Sequence, residues 1–119
     1  MPAKNTQRRI KLFAGSVSMS AELNDSTTAD RIWDNLPIRG KAQVWGDETY
    51  FSIPVKMAEE DAKAEVPSGT LAFWPPGNAF CIFFGQRPYS PVNVVGKLLG
   101  EPRNWAAVKD GVEVRIEKE

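Results

Sequence analysis

The sequence predicts a mostly β protein, a closed barrel of about eight short strands with one or two short helices. Three observations predict it. Val17, Met19, Ala21 and Leu23 alternate with Ser16, Ser18, Ser20 and Glu22, a period of two that a half-buried strand explains. Short apolar runs are separated by concentrated turn signals at Gly15-Ser16, Gly46-Asp47 and Pro75-Pro76-Gly77-Asn78. So many short strands expose many edges, and closure into a barrel is the most economical way to hide them.

The elements follow in order. Ile10, Leu12 and Ala14 alternate like the run from Val17, so the first element is a hairpin about Gly15-Ser16. Thr27, with Asp30 three residues on, reads as a helix start. Ala29, Ile32, Trp33 and Leu36 then fall on one face, and Pro37 ends the helix. Lys41 to Pro54 reads as two strands joined at Gly46-Asp47, where glycine supplies the positive φ of a tight turn. Its outer side is read as aromatic, with Trp45, Tyr50 and Phe51 close together.

Lys56 to Pro67 mixes Glu59, Glu60, Asp61, Lys63 and Glu65 with alanines and reads as a charged loop with some helical content. Thr70 to Trp74 and Ala79 to Phe84, rich in aromatic and β-branched residues, flank the Pro-Pro-Gly-Asn turn and read as central strands. Val92 to Leu99 is another strand and Pro102 to Lys109 a short helix. Val112, Val114 and Ile116 alternate with Glu113, Arg115 and Glu117 in the last strand.

Composition narrows the function classes. At 119 residues the chain has the size of one domain, assigned to residues 8–119 behind a polar tail at residues 1–7, and no internal repeat or linker divides it. Fifteen basic residues balance 15 acidic ones, so the attraction that dominates phosphate-backbone binding has no net source and nucleic acid is a poor partner. Nothing approaches the roughly 18 apolar residues of a membrane span, and no secretory signal pattern follows the basic start. A cytoplasmic protein, monomeric or weakly homo-oligomeric, is the expectation.

Cys81 is the single cysteine and histidine is absent. Internal disulfides, Ser-His and Cys-His nucleophile pairs and the commonest zinc ligand are thereby removed. Cys81 lies within an apolar strand, which raises a thiol pKa, and reads as a packed core residue rather than a nucleophile. Asp25, Asp30, Asp34, Asp47 and Glu48 lack the dense loop spacing of a calcium site and read as helix-terminal and surface charges. No metal or cofactor is expected.

Three segments carry a family resemblance: VWGDETYFSIPV, GTLAFWPPGNAFCIFFGQRPYS and PVNVVGKLLG. From about Gln43 to Gly100 the chain resembles the prokaryotic cyclophilin-like family, small stand-alone barrels with the cyclophilin fold and no established activity. A looser similarity reaches the true cyclophilins, peptidyl-prolyl isomerases that hold a proline peptide in an apolar groove and set an arginine against the twisting amide. Ala79 to Tyr89 resembles their groove strand and the aromatic after it, and Gly96-Lys97 resembles a glycine-lysine pair on the next strand.

The arginine belongs on a phenylalanine-polar-arginine strand, which Tyr50-Phe51-Ser52 resembles, so Ser52 stands where the guanidinium should. A hydroxyl supplies neither its charge nor its reach. Trp74 replaces a small residue beside the groove, Cys81 replaces a groove-wall phenylalanine, and Val92 lies near the place of the groove's histidine. The resemblance implies an inherited fold without the inherited reaction.

The expected site is therefore a groove formed by Phe51, Ser52, Trp74, Cys81, Phe83, Arg87 and Tyr89, holding a small apolar or peptide-like ligand. The alternative is a weak or altered isomerase in which Arg87, next to Pro88 in a loop, replaces the missing electrophile. A third reading is an oligomerising role for the aromatic strands.

Overall fold

The computed structural model describes residues 8–88 and 90–119. The tail at residues 1–7 and the groove residue Tyr89 lie outside the described residues. The architecture is a nearly closed antiparallel barrel of nine strands in the order β3-β9-β1-β2-β8-β6-β7-β5-β4.

The first hairpin pairs β1 (Arg9–Ala14) with β2 (Val17–Leu23), Ala14 facing Val17 across the two-residue turn. Gly15 there has φ +62°, a conformation that costs glycine little. The alternation puts Ile10, Leu12, Ala14, Met19, Ala21 and Leu23 inside the barrel, each less than a tenth exposed.

β3 (Ile38–Lys41) and β4 (Gln43–Trp45) are the two edges of the sheet, yet they are consecutive in the chain. Ala42 joins them. Its amide donates to the Val112 carbonyl at 2.8 Å and its carbonyl accepts from the Gly111 amide at 2.8 Å. One bent run thus pairs with β9 (Glu113–Lys118) before the bend and with β5 (Glu48–Ser52) after it, and brings the two edges together. The ninth strand comes from this bend, which splits a run that begins at Ile38 instead of Lys41.

β6 (Thr70–Trp74), β7 (Ala79–Phe83) and β8 (Asn93–Leu98) complete the wall. The β6–β7 connection is a 3-10 turn over Pro75–Gly77 that ends on Asn78 at φ 49°, where asparagine is better tolerated than other side chains. Leu71, Phe73, Phe80, Ile82 and Phe84 point inward, joining Phe51, Val95, Val114 and Ile116 in the central cluster.

One helix, α1 (Thr27–Asp34), buries Ala29 and Ile32 completely. The helix begins at Thr27 as read, but the capping side chain is Ser26 rather than Thr27: its Oγ accepts from the Ala29 amide at 3.1 Å. It also stops short of Pro37, with Asn35 as C-cap. The expected helix over Pro102 to Lys109 is a 3-10 segment, Pro102–Ala107, whose Trp105 is fully buried in the central cluster.

Lys56 to Pro67 contains no helix. Alanines favour helix, but the segment is held as an irregular loop by non-local bonds: Lys63 and Val92 exchange both backbone hydrogen bonds, at 2.8 and 3.0 Å. Glu60 within it accepts from the Thr27 amide at 2.9 Å, the Thr28 amide at 2.9 Å and the Thr28 hydroxyl at 2.7 Å. Its carboxylate thereby occupies the positive end of α1. Buried Asn93 ties the same corner, donating to the Ala58 carbonyl and the Thr28 hydroxyl and accepting from the Glu60 amide.

Candidate functional site

Strands alternate faces, so the residues between the inward ones on β5, β6 and β7 point outward. On an ordinary half-exposed sheet these are polar. Here Ala72, Ala79, Cys81, Phe83 and Val92 form a second buried cluster outside the barrel, with Tyr50, Val66 and Trp74 against it. The loop pinned by Lys63 and Val92 lies along this face, which explains why every residue of β7 is buried.

A cavity of about 230 Å³ opens in this outer face, lined by Trp45, Glu48, Tyr50, Trp74, Cys81, Phe83 and Val92. Register accounts for the grouping. Glu48 is paired with Trp45 on one side and Phe83 on the other, and two residues along β5 Tyr50 is paired with Cys81. Trp74 is positioned from β6 opposite Ala79, and its indole N–H donates to Ser90 Oγ. The Gly77 turn packs on the Trp74 ring so closely that a Cβ there would lie 2.8 Å from it.

The one carboxyl in the cavity is only 6% exposed. Burial pushes the Glu48 pKa up from 4.5 to about 7, opposed in part by the neighbouring Cys81 thiol, whose proton is directed at the Ala79 carbonyl, 3.8 Å away. The same burial, followed by the neighbouring Glu48 charge, pushes the thiol well above its usual range. Cys81 is thus held as a neutral thiol and is not poised as a nucleophile. No Lys or Arg among the described residues forms an ion pair with Glu48.

Of the groove residues expected from sequence, Trp74, Cys81 and Phe83 line this cavity together. Phe51 does not: it points into the barrel, 1% exposed, its ring centroid 5.7 Å from that of Phe80. The aromatic outer side read for the β4–β5 hairpin is therefore Trp45 and Tyr50 without Phe51, since neighbours on a strand face opposite ways. Ser52 is exposed, outside the cavity, and donates to the Gly77 carbonyl at 3.3 Å. Arg87 is also outside it, with its side chain 74% exposed and 3.4 Å from Glu65.

Glu48 is the residue that sequence reading missed, having placed it among surface charges. Two signals were available: it shares a strand face with Tyr50, and it follows the Gly46-Asp47 turn that sets it opposite Trp45. A second, larger cleft of about 650 Å³ lies beside β2 and β8, lined by both signs of charge, including Glu22, Lys63, Glu65 and Lys97. It contains no comparably buried ionisable group, and the outer-face cavity is the better candidate.

Among the described residues no group of three or more Cys, Asp or Glu stands close enough to hold a metal ion, and no helix is long and apolar enough to cross a membrane.

Comparison with known proteins agrees with the fold. Residues 8–117 match the family described as cyclophilin-like. The solution structure of the hypothetical protein AF2241 from Archaeoglobus fulgidus is similar over 100% of both chains, at 34% identity and a TM-score of 0.84. A structure of McbB in complex with tryptophan matches 92% of this chain but 44% of that one, at 15% identity and a TM-score of 0.67, a likeness of fold alone. A search of curated proteins gives no match.

Proposed function

The chain belongs to the cyclophilin-like family, and from that premise we propose that it works as a binding module whose outer-face cavity holds a small, largely apolar molecule or the apolar side chain of a peptide. The observation that supports this reading most is the cavity wall itself: four aromatic rings, a valine and a thiol around one carboxyl. Mostly apolar walls with one placed polar group suit a site that binds by burial and orients by a single interaction.

Proline isomerisation has less in its favour. The amide must lose its resonance against a barrier of roughly 18–20 kcal/mol, and the fold's usual contribution is a positioned positive charge. Among the described residues no Arg or Lys lines the cavity, and Arg87 is turned toward Glu65. McbB, whose structure holds tryptophan, lends the binding reading only the observation that this fold occurs in a protein that binds a small aromatic molecule.

The test is a titration with 2-phenylethanol followed by amide and indole N–H chemical shifts. Shifts centred on Trp45, Glu48, Trp74 and Phe83 are expected. Their absence up to about 10 mM, weaker than the millimolar Kd worth about 4 kcal/mol, or a cluster of shifts elsewhere, would overturn the reading.

A further inference from the structure

We propose that the ligand of this cavity is an organic cation, a primary or N-methylated amine on a small aliphatic or aromatic body, with its charged head against Glu48 and its body against Trp45, Tyr50, Trp74 and Phe83. The proposal rests on the binding reading above and names the chemical class that the cavity takes.

The argument begins with what the carboxyl lacks. A buried carboxylate is costly unless a positive charge or several hydrogen bonds compensate it. Among the described residues Glu48 has the Cys81 thiol beside it and no ion pair, so they leave one strong interaction unfilled at the cavity.

A metal ion does not fill it well, because an ion of that kind needs several oxygen or sulfur ligands and Glu48 has no second acidic residue in the cavity. An ammonium needs only one carboxylate if the rest of its surface meets aromatic faces, whose negative quadrupoles attract cations. Two tryptophans, a tyrosine and a phenylalanine provide those faces.

Size agrees with this class. A dry cavity of about 150 Å³ accommodates benzene, so the 230 Å³ here has room for one ring and a charged head. Burial also works in the proposal's favour: the raised proton affinity of Glu48 marks a carboxyl that gains from a cation beside it.

The experiment compares 2-phenylethylammonium with 2-phenylethanol, close in size and differing in charge, by isothermal calorimetry at about pH 8, where the amine keeps its proton and Glu48 has lost its own. The amine is expected to bind about tenfold tighter or more, and Glu48→Gln to lower amine affinity about tenfold, so that the variant still binds the alcohol but no longer prefers the amine to it. The alcohol result in that variant shows that the cavity is intact, and Trp45→Leu provides a second variant that should weaken the amine more than the alcohol.

Equal binding of the two compounds to the natural chain, or an amine affinity indifferent to Glu48→Gln, would overturn the cation inference and leave the binding reading standing. Binding of neither would overturn the binding reading and the inference with it.

Discussion

The Glu48 carboxyl and the Cys81 thiol line the same cavity on the outside of the barrel, and both are buried, 6% and 2% exposed. An acid and a thiol that both resist ionisation there make stability depend on pH in a defined window.

Between about 4.5 and 7 the folded chain holds a proton on Glu48 that the unfolded chain has released. Stability from this group is therefore fully present below 4.5 and declines as pH rises through 7. The Cys81 thiol in the same cavity is pushed up by its own burial and does not ionise in this window. A shift of this size corresponds to at most about 3 kcal/mol. Glu48→Gln should remove the slope and be the more stable form at about pH 8 by up to that amount. Chemical denaturation across the range checks it, and an unchanged slope in the variant would refute the assignment.

The helix cap provides a sharper local test. Ser26 has an extended backbone (φ −71°, ψ 157°), its carbonyl accepts from the Asp30 amide at 3.0 Å, and its hydroxyl satisfies the Ala29 amide. Ser26→Ala should cost about 1 kcal/mol, whereas Thr27→Ala should cost less, because Thr27 meets Glu60 through its backbone amide. Denaturation midpoints that rank the two the other way would place the cap back on Thr27.

Gly96 on β8 is paired with Leu23 on β2. A Cβ there would lie 2.3 Å from the Glu22 carbonyl oxygen and 3.1 Å from Leu23 Cα, both backbone atoms fixed by strand pairing. Gly96→Ala should therefore destabilise by about 1–3 kcal/mol, as overpacking does where neighbours are unable to rotate away. A variant as stable as the natural chain would mean that the β2–β8 contact is looser than described.

Catalysis of proline isomerisation should be absent. Losing a charged transition-state donor costs about 10²- to 10³-fold, and Ser52 points outside the cavity. A protease-coupled assay on a short Xaa-Pro peptide should show the uncatalysed rate. Acceleration abolished by Arg87→Ala would instead restore the isomerase reading.

Much of the fold was legible because period-two alternation and turn residues are local. Val17 to Leu23 reveals a strand by itself, and Gly46-Asp47 places a hairpin turn without reference to any other segment. The strand Glu48 to Ser52 likewise reveals that Tyr50 and Phe51 take opposite faces. That alternation is a property of the strand itself, and it excludes an outer side containing both.

Which of those faces became the interior was decided by tertiary structure, since nothing local to Glu48 distinguishes a solvated outer face from one covered by a distant loop. Lys63 and Val92 bind that loop along the barrel, and Phe83 and Trp45 arrive from neighbouring strands. The bend at Ala42 and the capping of α1 by Glu60 are of the same kind, contacts between residues far apart in the chain. The sequence alone determined the strands, their turns and the side chains that share a face. Only the assembled barrel decided which face is buried, because burial, and with it the proton affinity of Glu48, depends on what packs across it.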